Sequence, residues 1–384
     1  MPFVQVLSSS GMIVLMTALA LRPPRPPRST PFTLSFVLTF LINEQPFLAL
    51  YLLAAGALPA LTSGSTGTPA WWLGAGTAAA TAAGLLALAV RTRTARPRLE
   101  AALRQALGPR TVDPRPRPGL RRLLRLLVLP LVSYRPGVRR TAGLRYGDAG
   151  RGHLLDVYAP RSGARDAPVL LYLHGGGFRT GSRLLGARPL FHRLAGRGWV
   201  CVSADYRLGG SLTYADRLAD VRRAVRWVRE NAAALGADPG ALFLAGGSSG
   251  AHLAATAALT ASRTPGGPDG GPVAGVIAFY GYYGQADGAA DSTPLAHLHP
   301  GAPPFLIVHG ALDTLVLVED ARHFAAALGR TSAGPVAYAE LPGTQHNFDL
   351  FPSLRFHAVS DAVEDFATRV RHADPGYGAT RPEG

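Results

Sequence analysis

Ala241-Leu-Phe-Leu-Ala245-Gly-Gly-Ser248-Ser-Gly250-Ala-His-Leu-Ala254 runs from an apolar, strand-like stretch through a cluster of small residues into a helix-like one. Ser248 therefore sits in a G-x-S-x-G frame at a strand-to-helix turn, with Gly246 and Gly250 two residues to either side. A serine carried on so sharp a turn needs glycine at both places, because a Cβ there would strike the neighbouring strand or helix. The N–H of the next residue, Ser249, then points to the same side as the serine hydroxyl. On its own the pattern is weak in a chain with 45 glycines, where a Gly-Ser loop closing a βα unit spells the same letters. The strand before it and the helix after it favour an exposed nucleophile.

On either side of this turn, strand patterns at 153–160, 168–174, 199–203, 241–245, 273–280, 304–308 and 336–341 alternate with helical ones at 185–197, 214–235, after Ser248, near 317–328 and at 353–371. Such alternation predicts an α/β fold, a mostly parallel sheet covered on both faces. Functional residues then belong at the carboxyl ends of the strands. Three further sites fall there. His174-Gly-Gly-Gly-Phe178 follows an apolar strand, and consecutive glycines let backbone N–H groups approach a substrate oxygen. Asp313 follows the strand at 304–308, and His346 follows the last one. Serine, acid and histidine in that order is the arrangement of the α/β-hydrolase fold.

The five stretches His174-Gly-Gly-Gly-Phe178, Asp205-Tyr-Arg-Leu208, Gly246-Gly-Ser-Ser-Gly-Ala-His-Leu-Ala254, His309-Gly-Ala-Leu-Asp-Thr-Leu-Val316 and Gly343-Thr-Gln-His-Asn-Phe348 together resemble the hormone-sensitive-lipase-like branch of α/β-hydrolase esterases, over about residues 142–372. That resemblance implies a serine carboxylesterase or lipase with Ser248 as nucleophile, His346 as general base and Asp313 as its orienting acid. The N–H groups of Gly176, Gly177 and Ser249 would form the oxyanion hole, with His174 and Asp205 as structural support for the glycine loop. The implied reaction passes through an acyl-enzyme and needs neither cofactor nor metal. Amide hydrolysis or acyl transfer to an alcohol would use the same triad, and a membrane scaffold with an inactive hydrolase domain is the reading from another class. Two features depart from the family. Gly247 stands where a polar residue is usual, and the short segment 281–303 leaves little room for a lid, so a cap must come mainly from residues before 142. Among the other histidines, His252 reads as packing, His309 as a poor rival base, and His297-x-His299 lacks the carboxylates a metal would need.

The first third is different in kind. Apolar residues make up 47% of the 384-residue chain, and mean hydropathy is above zero, which asks for membrane segments. Every basic side chain is arginine; residues 1–141 carry 17 of them against Glu44, Glu100 and Asp113, whereas 142–384 carry 22 against 21 acids. The downstream domain is therefore near neutral, which argues against nucleic acid as a partner. Apolar stretches at 4–21, 32–61 and 69–90 predict an all-α transmembrane region over 1–90. Glu44 and Pro46 interrupt the second stretch, either as a kink or interfacial start or, for Glu44, as an intramembrane functional group. The arginine clusters at 22–28 and 91–98 belong in the cytoplasm by the positive-inside rule, with two crossings between them and the uncharged loop 62–68 outside. That parity predicts a multi-pass protein of the cell membrane whose catalytic domain is cytoplasmic and whose substrate is a small-molecule or lipid acyl ester. Residues 91–141 read as a basic linker or cap, semi-rigid at 113–119. Within them, 120–129 suits either a helix lying on an anionic leaflet or a cap helix on the catalytic domain. The lone Cys201 lies in a buried strand pattern and gives no sign of an oxidising compartment, and 373–384 read as a disordered tail.

Overall fold

The computed structural model describes residues 2–23, 33–62, 67–109, 119–263 and 271–373. The arginine cluster 22–28, the loop 62–68, the linker 113–119 and the tail 373–384 lie largely outside them. Helices α1 (Pro2–Leu21), α2 (Thr33–Glu44), α3 (Pro46–Thr62), α4 (Pro69–Arg91), α5 (Ala95–Leu107) and α6 (Leu120–Val128) precede the first strand. There follow β1 (Val138–Arg145), β2 (Leu154–Pro160), β3 (Ala167–Leu173), α7 (Arg188–Ala195), β4 (Val200–Ala204), α8 (Tyr214–Glu230), α9 (Ala232–Leu235), β5 (Ala237–Gly247) and α10 (Ser249–Ala261). The chain continues through β6 (Gly275–Phe279), β7 (Phe305–Gly310), α11 (Val318–Thr331), β8 (Val336–Leu341) and α12 (Leu354–Ala373).

The strands form one sheet in the order β1-β2-β4-β3-β5-β6-β7-β8. β1 and β2 are antiparallel to their neighbours and the rest run parallel, the pattern expected of the α/β-hydrolase fold. Every residue of β3, Ala-Pro-Val-Leu-Leu-Tyr-Leu, is buried, as a central parallel strand covered on both faces must be. Residues from α8, α10 and α11 pack on one face, and residues from α5, α7 and α12 on the other. The strand β1 escapes the sequence pattern and straddles the expected boundary at 142. Its residues Val-Arg-Arg-Thr-Ala-Gly-Leu-Arg are mostly exposed at the sheet edge, so no apolar alternation marks them.

The segment expected as a basic linker begins as α5, whose Ala95, Leu99, Ala102 and Leu103 are buried in the sheet domain's second core. Arg96 pairs with Asp361 at 2.5 Å, and Arg369 donates to the carbonyl of Gly108 at 2.8 Å. Arg96, one of the arginines that looked membrane-directed, is thus satisfied by protein.

The transmembrane expectation needs correction. Among the described residues one helical stretch, Pro69–Leu107, is long and apolar enough to cross a membrane, and Gly11–Leu21 and Pro46–Leu58 are shorter apolar helices. The multi-pass arrangement is therefore not supported, and the two-crossing parity that placed the downstream domain in the cytoplasm lapses with it. The stretch 32–61 is two helices. Pro46 takes the first position of α3, where its missing N–H costs nothing. The polar residues just before it turn onto the sheet domain. Gln45 donates to the carbonyl of Pro352 at 3.0 Å, Ser353 donates to Glu44 at 3.3 Å, and Arg355 forms a fully buried ion pair with Glu44. Glu44 is a tether between the N-terminal helices and the sheet domain. α1 to α4 share a small core of Ala20, Ile42, Ala49, Leu53, Leu85 and Leu88.

Removing one partner of a buried ion pair leaves the other unpaired, which typically costs about 3–5 kcal/mol. Glu44→Ala should therefore lower the unfolding midpoint of the purified protein by several degrees in a thermal melt. A midpoint unchanged within a degree would show that the tether carries no stability.

Candidate active site

β5 ends at Gly247 and α10 begins at Ser249, so Ser248 alone makes the turn. Its φ of +56° and ψ of −121° are a left-handed conformation that a side chain adopts only when its surroundings force it. Three contacts do so. The Ser248 N–H donates to the Phe279 carbonyl at 3.0 Å. A Cβ on Gly246 would lie 2.7 Å from the Ala251 nitrogen, and one on Gly250 would lie 2.6 Å from the His174 carbonyl oxygen. β5, α10 and the end of β3 thus meet backbone to backbone. Since α10 is buried along nearly its whole length, the turn has nowhere to relax.

The glycine loop after β3 lies against this turn: a Cβ on Gly175 would come 3.1 Å from that of Ser248. Gly176 and Gly177 have φ of +130° and +60°, and the N–H groups of Arg179 and Thr180 close the loop on the Gly176 carbonyl at 3.1 and 3.0 Å. Ser249 opens α10, so its N–H has no partner within the helix and lies at the positive end of the helix dipole.

At the ends of β7 and β8 the structure brings Asp313 and His346 together, with Nδ1 to Oδ2 at 2.6 Å. The other carboxylate oxygen accepts the N–H groups of Leu315 and Val316, both at 2.9 Å. His309 stands on the same carboxylate, 3.4 Å from Oδ2, with the same ring nitrogen 3.0 Å from the Val316 carbonyl. Burial alone would raise the Asp313 carboxyl. The charge of His346 and the hydrogen bonds from both histidines outweigh it and hold the group well below the usual carboxylate range. With Nδ1 of His346 taken by the acid, Nε2 is the nitrogen left for proton exchange.

The two residues expected to support the glycine loop, His174 and Asp205, are both engaged. The His174 ring stacks on Tyr206 at 4.5 Å, its Nδ1 lies 2.8 Å from the Gly175 carbonyl, and burial lowers its pKa. Asp205 accepts the backbone N–H and guanidinium of Arg183, each at 2.5 Å, which ties down the chain beyond the glycine turn. His252 bonds the Tyr214 hydroxyl at 3.0 Å and the Gly284 carbonyl at 2.9 Å, and burial pulls its pKa down to about 4. His297 and His299 each sit on a backbone carbonyl, of Asp291 and Leu259. Among the described residues no group of three or more His, Cys, Asp or Glu side chains is placed to hold a metal.

Three neighbours of His346 and Asp313 had no mark in the sequence reading. Tyr280, at the end of β6, packs its ring 4.4 Å from that of His346. Asp349, three residues after His346, is wholly buried. Phe36 of α2 meets the His346 ring edge-on at 5.9 Å, and Gln345 donates to Thr39 of the same helix at 3.3 Å. Position at a strand end could have flagged Tyr280; nothing local could have flagged Phe36.

Comparisons with known proteins find esterases that share this fold. A family model described as BD-FAE matches residues 155–282. The probable carboxylic ester hydrolase LipM of Mycobacterium tuberculosis is 34% identical over 358 residues, covering 79% of this chain and 81% of that protein. Esterase LipQ of the same organism is 33% identical, over 63% of this chain and 65% of its own length. A thermophilic esterase from Thermogutta terrifontis, solved with butyrate bound, matches with a TM-score of 0.53 and 27% identity, covering 64% of this chain and 97% of its own. Esterase 2 of that organism has also been solved phosphorylated by paraoxon, matching at 28% identity and a TM-score of 0.52.

Proposed function

This chain belongs to the carboxylic ester hydrolases of the α/β-hydrolase fold and is a serine hydrolase, and we propose on that premise that Ser248, His346 and Asp313 are its catalytic triad. The observation that carries the assignment is the 2.6 Å bond from His346 Nδ1 to a carboxylate held ionised, at the strand ends that also carry the strained Ser248 turn.

In the acylation step His346 Nε2 takes the Ser248 hydroxyl proton as Oγ bonds to the ester carbonyl carbon. The oxyanion that forms is held by the N–H groups of Gly176, Gly177 and Ser249. Collapse breaks the bond to the alkoxy group, which leaves as the alcohol with the proton from His346. Water then attacks the acyl-enzyme, gives its proton to the same nitrogen, and the acid departs as Ser248 recovers its hydrogen. Asp313 keeps the imidazole in the required tautomer throughout.

The substrate side of the reading rests on α2. Phe36 gives the site an apolar wall from the N-terminal helices, which suits an ester with an apolar or amphiphilic acyl chain. Those helices expose Met12, Leu15, Tyr51, Leu52, Trp72, Leu73 and Leu86, a surface that water does not favour and a bilayer would cover. Leu124, Val128, Leu129, Leu131 and Val132 are likewise exposed on and after α6, beside Arg125. That exposure supports the membrane-lying reading of this segment over the cap reading. The enzyme is thus held at a membrane beside its substrate pool.

Asp313→Asn should keep the fold but lower kcat for a soluble acyl ester by about 10³–10⁴-fold, because the imidazole loses its tautomer control. A loss below about tenfold would remove Asp313 from the triad. Across p-nitrophenyl esters of increasing chain length, Phe36→Ala should shift the kcat/KM optimum to a different acyl length. An unchanged profile would mean that α2 does not line the acyl site.

A further inference from the structure

Asp349 is a buried carboxylate that the triad does not use. One of its oxygens accepts the Tyr172 hydroxyl at 2.7 Å and the backbone N–H of Ala187 at 3.0 Å; the other accepts the Tyr280 hydroxyl at 2.5 Å. These partners come from separate parts of the site. Tyr172 lies on β3, two residues before His174 and the glycine loop. Ala187, at φ +46°, ends the excursion that begins with that loop and caps α7. Tyr280, also left-handed at φ +39°, stands at the end of β6.

Tyr280 is a wedge. Its ring rests 4.4 Å from the His346 ring on one side and 5.1 Å from Phe348 on another. Its phenol end fills the space in front of Gly247, where a Cβ would come within 2.7 Å of Cζ and closer still to the hydroxyl oxygen. Gly247 is the position at which this chain lacks the polar side chain expected in the turn. The polar group near that place is instead the Tyr280 hydroxyl, which arrives from the neighbouring strand and is held by Asp349. Burial raises the Asp349 carboxyl against the opposing pull of its hydrogen bonds, and burial also drives both phenols well above their ordinary values, so the tyrosines remain donors at neutral pH.

We infer that Asp349 and Tyr280 are positioning residues for acyl transfer: the carboxylate fixes the tyrosine between the Ser248 turn and His346, and so sets the distance across which the proton moves. This rests on the triad reading. Displacements well under an ångström in such a geometry are enough to change rate, and about 1 Å can cost a hundredfold. The position of the wedge matters to kcat rather than to binding, since neither Tyr280 nor Asp349 is proposed to contact the acyl chain.

The test uses the full-length protein in detergent, with Tyr280→Phe, Asp349→Asn and Ser248→Ala. Tyr280→Phe keeps the ring and deletes only the hydroxyl, so it remains informative if Asp349→Asn fails to fold. Active sites are counted with a fluorophosphonate probe, and kcat and KM for p-nitrophenyl butyrate are expressed per titrated site. We expect kcat per site to fall about 10- to 100-fold in Tyr280→Phe, with KM within about twofold of the parent and the rate of probe labelling falling in step. A structural role alone would lower the number of titratable sites and the melting temperature while leaving kcat per site unchanged. That result, with Ser248→Ala inert to the probe, would overturn this inference and leave the triad standing. Labelling that persists in Ser248→Ala would remove the triad, and this inference with it.

Discussion

The close approach of Gly250 to the end of β3 is the constraint on which the site depends. Without a side chain at 250, α10 can start directly against the carbonyls of Leu173 and His174. The residue before α10 is then forced into the left-handed region, and that residue is Ser248. Parallel pairing does the rest. Leu173 is in register with Gly246, Gly247 with Phe279, and Phe279 with Val308 on β7, which is paired in turn with β8. The glycine loop, the serine turn, Tyr280, Asp313 and His346 therefore emerge from five adjacent strand ends. The groups converge because the strands are parallel and the turns after them short; no long-range loop folding is needed to gather them.

The N-terminal helices are joined to this arrangement through the loop that bears His346. Phe36 meets the His346 ring, Thr39 accepts from Gln345, and Glu44 closes a buried pair with Arg355 just beyond. From the other side, α4 continues through a single 3₁₀ turn into α5, whose apolar face is buried in the sheet domain. The apolar region and the hydrolase domain thus share two firm connections, neither of which is a flexible tether.

What the sequence revealed follows from the range of the interactions involved. The strand ends, the G-x-S-x-G turn and the glycine loop are local: each needs particular small or apolar residues within a few positions, and each was readable. β1 was not, because an exposed edge strand such as Val138–Arg145 carries no apolar alternation. The arginines at 91–98 read as a membrane signature because charge counting is blind to tertiary partners; Arg96 meets Asp361, 265 residues away. Glu44 looked like an interruption in an apolar stretch because Arg355 is even more remote. The wedge at Tyr280 depends on an absence, the missing side chain at Gly247, together with a carboxylate from another strand end. No single stretch contains that information.

The most direct measurement is to inactivate the protein with paraoxon and locate the adduct by peptide mass spectrometry. One phosphoryl group per chain is expected, on the peptide that contains Ser248, formed in step with loss of ester turnover. An adduct on any other residue, or full inactivation with Ser248 unmodified, would contradict it.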